Sequence, residues 1–105
     1  MDISEKEQSI ITLMHQLTKR QEQILMMYFG LGEQTKTSIE EIGEIYDMTS
    51  EEVIEMKDEG IREFIRLIAS TGILGDRQKD FSDKFIQSND SEFLDNFMTK
   101  FIGSN

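Results

Sequence analysis

The spacing of apolar residues between Thr37 and Phe64 predicts two helices joined by a short turn. Apolar residues recur at helical spacing in both halves: Ile39, Ile42, Ile45 and Tyr46 in the first, and Val53, Met56, Gly60, Ile61, Phe64 and Ile68 in the second. Only residues 47–49 separate the two stripes. Helices joined so closely bury their stripes against each other at a steep angle, which predicts a helix-turn-helix.

Capping patterns mark the starts of both helices. Ser38 precedes Glu41 by three residues, and Thr49 precedes Glu52 by three. In this pattern the hydroxyl accepts a hydrogen bond from the third helical N–H, and the carboxylate accepts one from the N–H of the cap residue. Gly60 lies inside the second helix, where it costs about 1 kcal/mol relative to alanine. We therefore expect a close approach of another helix at Gly60.

Two further helices are predicted ahead of this pair. Residues 2–16 form the first, and the second begins at Thr18, with Gln21 as its capping partner, and runs to Phe29. Two glycines follow Phe29 and permit a positive φ at the end of the helix. The predicted buried side of the second helix comprises Ile24, Leu25, Tyr28 and Phe29.

The C-terminal third of the chain carries five of the seven phenylalanines. They fall in two predicted amphipathic helices, residues 77–87 and 91–102, and residues 88–90 cap the second. Burial of each ring is worth about 1.5–3 kcal/mol. We therefore expect the tail to fold onto the rest of the domain, onto another copy or onto a partner.

The predicted fold class is all-α, a small helical domain with a tri-helical helix-turn-helix core and two C-terminal amphipathic helices. We divide the chain into an N-terminal helix (1–16), a helix-turn-helix domain (17–71) and a phenylalanine-rich extension (72–105). This extension is expected to pack on the core or on a partner.

Composition favours a protein partner. The 105 residues include 21 acidic and 11 basic side chains, giving a net charge of −10. Such a balance disfavours binding to nucleic acid and to anionic membranes, and it favours binding to basic protein surfaces. The chain has no cysteine, no apolar run long enough to span a bilayer and no secretory signal pattern, so we expect a cytoplasmic protein.

Candidate catalytic chemistry is sparse. The chain has one histidine, His15, and neither a glycine-rich phosphate loop nor an EF-hand pattern of oxygen ligands. The carboxylates at 40, 41 and 44 are interpreted as a solvated helix face. We therefore predict no enzymatic activity, no metal and no cofactor.

Four short motifs resemble region 4 of the sigma-70 family of bacterial transcription initiation factors. They are LTKR at 17–20, FGL at 29–31, IEEIG at 39–43 and TSEEV at 49–53. The resemblance covers roughly half of the 105 residues. It implies a domain that binds the flap tip of the RNA polymerase β subunit and reads the −35 promoter element.

The second helix of the pair departs from the family at the positions expected to contact DNA. The family usually carries arginines along this face, which here comprises Ser50, Glu52, Ile54, Glu55 and Glu59. Residues 50–63 hold six acids and two bases, a net −4. This sign opposes binding to the polyanionic duplex. Ile54, apolar beside the acids, is a candidate contact with a partner.

Two residues of the expected DNA-contacting types remain. Arg20 matches an arginine that usually touches phosphate, and Glu51 matches a glutamate that usually accepts from a cytosine amino group. Glu51 also lies in the first turn of its helix, where a carboxylate stabilises any helix by about 0.3–1 kcal/mol. A residual DNA contact and simple helix stabilisation therefore both stay open for Glu51.

The resemblance also implies a polymerase-binding groove, formed by the helix ending at Phe29 and the turn after it. The candidate partner-binding residues are Met26, Met27, Tyr28, Leu31 and Ile54. Methionine adapts to irregular partners, although Met27 fits a core position equally well. Residues 93–102 have the apolar character of a flap-tip helix, so we hypothesise that they occupy or adjoin this groove.

Three functions follow as hypotheses. The first is a regulator, encoded by a phage or mobile element, that binds the β flap or another transcription protein and has weakened or lost DNA reading. The second is a divergent sigma factor domain that reads a −35-type element, with DNA bound only within a larger complex. The third is a helix-turn-helix-derived acidic module that serves an unrelated protein interaction or mimics DNA.

Overall fold

Five helices make up the described part of the chain, in a computed structural model that describes residues 5–32, 34–71 and 90–103. They are α1 (Glu5–Met14), α2 (Lys19–Phe29), α3 (Ile39–Tyr46), α4 (Ser50–Thr71) and α5 (Ser91–Gly103). The predicted all-α class is confirmed. The predicted helix over 77–87 lies outside the described residues.

Side chains cap the helices where the sequence predicts. The Thr18 hydroxyl accepts from the N–H of Gln21, and the Gln21 side chain accepts from the N–H of Thr18, at 3.2 Å each. Thr49 and Glu52 form the same reciprocal pair at the start of α4. Before α3, the Ser38 hydroxyl accepts from the third helical N–H. These caps fix the helix starts independently of the tertiary contacts.

The helix-turn-helix has its own small apolar cluster, formed by α2, α3 and the start of α4. Its buried members are Ile24, Met27, Ile42 and Val53. The turn is so tight that a Cβ at Gly43 would lie 2.6 Å from the carbonyl oxygen of Met48. Asp47 ends α3 in the left-handed region, with φ 56°. This backbone sets the crossing of α3 and α4.

The prediction that Ile45 belongs to the buried face of α3 is wrong. Ile45 is 60% exposed, whereas Ile42 is buried and Ile39 and Tyr46 pack on its cluster. The buried face of this eight-residue helix is centred on those residues and Gly43, and Ile45 lies past its edge. Helical spacing alone therefore overestimates the width of the buried face.

A second, larger apolar cluster joins α1, α2, α4 and α5. Its buried members are Ile10, Met14, Leu17, Leu25, Leu31, Ile61, Phe64, Ile65, Ile68, Leu94, Phe97 and Met98. The rings of Phe64 and Phe101 meet edge to face, with centroids 6.0 Å apart. The C-terminal helix thus folds onto the helical core of its own chain, which is one of the three predicted arrangements.

Two details of this larger cluster bear on the sequence predictions. A Cβ at Gly60 would lie 3.1 Å from Cδ1 of Leu25, so the predicted close approach is confirmed as the contact of α4 with α2. Phe93, one of the phenylalanines of the predicted amphipathic helix 91–102, is 38% exposed, whereas the neighbouring Leu94 is fully buried.

Candidate functional site

The outer face of α4 presents carboxylates to solvent. Ser50, Glu52, Glu55 and Glu59 are all exposed, and Ile54 is 36% exposed among them. Ile54 lines one shallow groove with Glu51 and Glu55, while Glu52 and Glu59 line a neighbouring groove, and Glu55 borders both. Because the apolar side chain of Ile54 lies next to carboxylates, the exposed surface of α4 is partly apolar and partly anionic.

Neither basic side chain of the 50–63 stretch adds an unpaired cation to this face. Lys57 is 1% exposed, and Arg62 donates to Glu59 at 2.5 Å with its side chain 13% exposed. Asp58 is buried beside Lys57. Because Lys57 and Asp58 have opposite charges, their withdrawal leaves the net charge of the remaining residues at −4. The net charge of this surface is thus the same as the sequence count gives, and Arg62 is the one base left among the residues that carry it.

Lys57 lies at the centre of a buried polar network between α4 and α5. Its Nζ donates to Asp95 Oδ1 at 2.6 Å and to Ser91 Oγ at 2.7 Å, and it lies 3.0 Å from Asp58 Oδ1. The Ser91 hydroxyl in turn donates to Asp58 Oδ1 at 3.0 Å. A buried ammonium is tolerated only when it is paired and hydrogen-bonded in this way.

Tyr28 links α2 to the same network. Its hydroxyl donates to Asp95 Oδ2 at 2.6 Å, and Lys57 Nζ lies 4.9 Å from the ring centroid. Burial raises the pKa of the Tyr28 hydroxyl above its ordinary value, and the hydrogen bond to the Asp95 carboxylate raises it further. Tyr28 is therefore a neutral donor that fixes one carboxylate oxygen while Lys57 holds the other.

The sequence predictions do not include this network, although one signal for it was available. Lys57 is four residues after Val53 and four before Ile61, so it lies on the buried stripe of α4. A lysine at such a position requires a carboxylate partner. Asp95, next to the buried Leu94, supplies it from a helix far away in sequence.

The candidate partner-binding residues divide between core and surface. Met27 and Leu31 are buried, at 9% and 1% exposure, so they belong to the two apolar clusters and offer almost no side-chain surface. Met26 and Tyr28 are half-buried, and both lie against the cluster or network that α5 completes. Ile54 is on the outer face of α4, away from that group.

Arg20 and Glu51 take different surroundings. The Arg20 guanidinium lies over the ring of Tyr46, 4.3 Å from its centroid, and a guanidinium nitrogen lies 3.6 Å from the sulfur of Met48. The structure thus places Arg20 against the turn between α3 and α4. Glu51 is exposed in the first turn of α4.

The carboxylate of Glu52, which caps α4, has a lowered pKa. Hydrogen bonds with the backbone and side chain of Thr49 lower the pKa of Glu52. The carboxylate therefore stays ionised on the surface that the family would use for DNA. Exposed as it is, it adds to the negative potential there.

Helices α2, α3 and α4 are arranged as a tri-helical helix-turn-helix, and residues 13–63 match the family described as Sigma-70, region 4. This segment belongs to the sigma-70 region 4 family. The region 4 match includes all of α2 and α3, ends within α4 and leaves out α5. Comparisons with curated proteins and with solved structures gave no match.

The region 4 match points to a transcription-related, sigma-like function. Region 4 is a transcription-factor type of domain rather than an enzyme family. Across residues 5–32, 34–71 and 90–103, no cluster of side chains is suited to hold a metal ion. In the same part of the chain, no helix has both the length and the apolar character needed to cross a membrane.

Proposed function

We propose that this protein is a sigma region 4-like transcription regulator that binds RNA polymerase through the β flap, by protein contacts, and that its reading of DNA is weakened or lost. The observation that carries the proposal is the outer face of α4. Glu52, Glu55 and Glu59 are exposed there, while Lys57 is withdrawn into the interior.

Electrostatics make such a face a poor reader of duplex DNA. DNA carries about one negative charge per 1.7 Å, and affinity comes mainly from lysine and arginine side chains that displace its counterions. A bidentate arginine also supplies about 1–3 kcal/mol of discrimination for each base it reads. With carboxylates in place of these arginines, the face repels the phosphate backbone and offers acceptors to basic or apolar protein groups.

A titration with promoter DNA tests the loss of DNA reading. We expect fluorescence anisotropy with a labelled −35 duplex at low salt to show no saturable binding by the full chain. The triple variant Ser50→Arg, Glu52→Arg, Ile54→Arg is expected to gain salt-sensitive binding, because it restores cations to this face.

The matched control raises the net charge by the same four units elsewhere. It combines Glu5→Arg on α1 with Glu92→Arg on α5, both of which replace exposed side chains. If the control binds as tightly as the triple variant, total charge rather than the α4 face is responsible. Tight, salt-sensitive binding by the unmodified chain would instead identify a DNA-reading sigma domain.

Binding to the polymerase is tested directly by calorimetric titration of the full chain with a purified β-flap domain. We expect one flap domain to bind per chain. Absence of binding both to the flap and to the whole core polymerase contradicts the proposal. Capture of basic DNA-binding proteins in place of polymerase would then favour the DNA-mimic function.

A further inference from the structure

Helix α5 covers a face of the region 4 domain although it lies outside the family match. Leu94, Phe97 and Met98 of α5 are buried in one cluster with Leu25 of α2 and Phe64 of α4. Met26 and Phe29 pack against the same cluster. The surface of α2 and α4 beneath α5 is therefore a helix-binding face that is already occupied.

The contact combines an apolar ridge with one charged anchor. Asp95 receives hydrogen bonds from Lys57 on α4 and from Tyr28 on α2, each 2.6 Å long. Lys57 itself is almost completely buried. The occupant of this face is thus specified chemically, as an amphipathic helix with apolar side chains on one side and a carboxylate placed among them.

Such an anchor gives specificity more than strength. The attraction between buried opposite charges is largely offset by the cost of removing both from water. A second helix of the same chemistry would recover the same ion pair and the same apolar burial. Exchange of one helix for another therefore leaves no buried charge unpaired at the end.

We propose that α5 is a resident competitor for the partner-binding face, and that an amphipathic partner helix bearing a carboxylate displaces it. The partner's carboxylate replaces Asp95 on Lys57 and Tyr28, and its apolar side chains replace Leu94 and Phe97. This inference rests on the proposed function, since the partner helix is taken to belong to the polymerase flap.

Competition of this kind has a simple quantitative consequence. The apparent dissociation constant equals the intrinsic constant divided by the fraction of molecules in which the face is open. If α5 is undocked in about one molecule in a hundred, the apparent affinity is about a hundred-fold weaker than the intrinsic one. Fixing α5 in place must then weaken binding further, and loosening it must strengthen binding.

An engineered disulfide tests this, because the chain has no cysteine of its own. Ser91 Oγ lies 3.0 Å from Asp58 Oδ1, so the full-length double variant Asp58→Cys, Ser91→Cys places thiols at facing positions of α4 and α5. We expect the oxidised protein to bind a purified β-flap domain at least ten-fold more weakly than the reduced protein. Reduction should restore binding, while unmodified protein should bind equally with and without reductant.

A pair of single substitutions on α5 provides the complementary measurement. Asp95→Ala removes the anchor, and we expect it to bind the flap several-fold more tightly than the unmodified chain. Glu92→Ala, an exposed position on the same helix, is expected to leave the affinity unchanged. A purely structural role for α5 predicts the opposite sign, with Asp95→Ala weakening binding.

The outcomes separate the two proposals. Equal affinity of the oxidised and reduced double variant, together with flap binding by the unmodified chain, overturns the competition and leaves the proposed function in place. Failure of every form to bind the flap, including the reduced variant and Asp95→Ala, overturns the proposed function and the competition with it.

Discussion

The two apolar clusters of this molecule differ in where their residues come from. The helix-turn-helix cluster of Ile24, Met27, Ile42 and Val53 lies wholly inside residues 13–63, which match region 4. The larger cluster draws on α1 and α5 as well. The small cluster is thus formed entirely by residues of the family match, whereas the larger cluster also needs residues of α1 and of the C-terminal helix.

The clusters differ in chemistry as well as in origin. Every buried member of the first is apolar. Beside the second, the junction of α4 with α5 contains Lys57 and Asp58, which are both buried and paired. Apolar contacts tolerate many partners, while a buried ion pair requires a specific one. The ion pair of Lys57 with Asp95 therefore favours one register of α5 on α4.

The largest expected effects come from removing a large side chain from each cluster. We expect Leu94→Ala and Ile42→Ala each to lower the free energy of unfolding by about 2–5 kcal/mol, since both side chains are fully buried. Hydrogen exchange should distinguish them. Leu94→Ala is expected to deprotect α5 and the end of α4, and Ile42→Ala to deprotect α3.

Loss of protection in every helix to the same extent, in both variants, would show that the two clusters unfold as one unit. The distinction between an inherited and an added part of the core would then have no energetic meaning. Ile45→Ala is a useful control, because this residue is exposed and its truncation should change stability by less than about 0.5 kcal/mol.

A smaller effect is expected at the start of α4. Thr49→Ala removes the hydroxyl that accepts from the N–H of Glu52 at 3.1 Å. We expect a loss of about 1 kcal/mol in the free energy of unfolding, measured by urea denaturation. Thr49→Ser keeps the acceptor and should lose less. Equal losses in the two variants would mean that the methyl group, rather than the cap, is the stabilising element.

The smallest effect is a pH dependence at the α5 junction. The folded pKa of Tyr28 is raised, so its contribution to stability is complete below the ordinary tyrosine pKa of about 10 and is lost as the pH rises toward the folded pKa. In an alkaline absorbance titration, one of the two tyrosines should ionise late. Tyr28→Phe should remove that late step and Tyr46→Phe should keep it.

Local sequence signals predicted the helices well. The capping pairs at Thr18 and Thr49 form as predicted, and Asp90 accepts from the backbone at the start of α5. Gly60 meets α2 closely. All of these features depend on residues a few positions apart or on one residue's missing side chain, which is why a single sequence reveals them.

Features that depend on distant residues were harder to predict. The charge count over residues 50–63 treats Lys57 as an available base, because the carboxylate of Asp95 that makes its burial possible lies 38 residues further along the chain. Helical spacing places Ile45 on the buried stripe, because spacing gives the direction of a side chain but not the extent of the neighbouring helix that would cover it. The hypothesis that the last helix adjoins the groove of α2 likewise concerns residues far apart in the sequence, such as Tyr28 and Asp95, which are 67 positions apart.

The buried lysine has a practical consequence for anyone cloning pieces of this protein. A fragment cut at the end of the region 4 match would lack Ser91 and Asp95, two of the three polar partners of Lys57, and would expose the apolar side chains that α5 covers. We expect such a fragment to aggregate, or to bind other proteins non-specifically in reporter and two-hybrid screens. Expression plasmids for this protein should extend through α5.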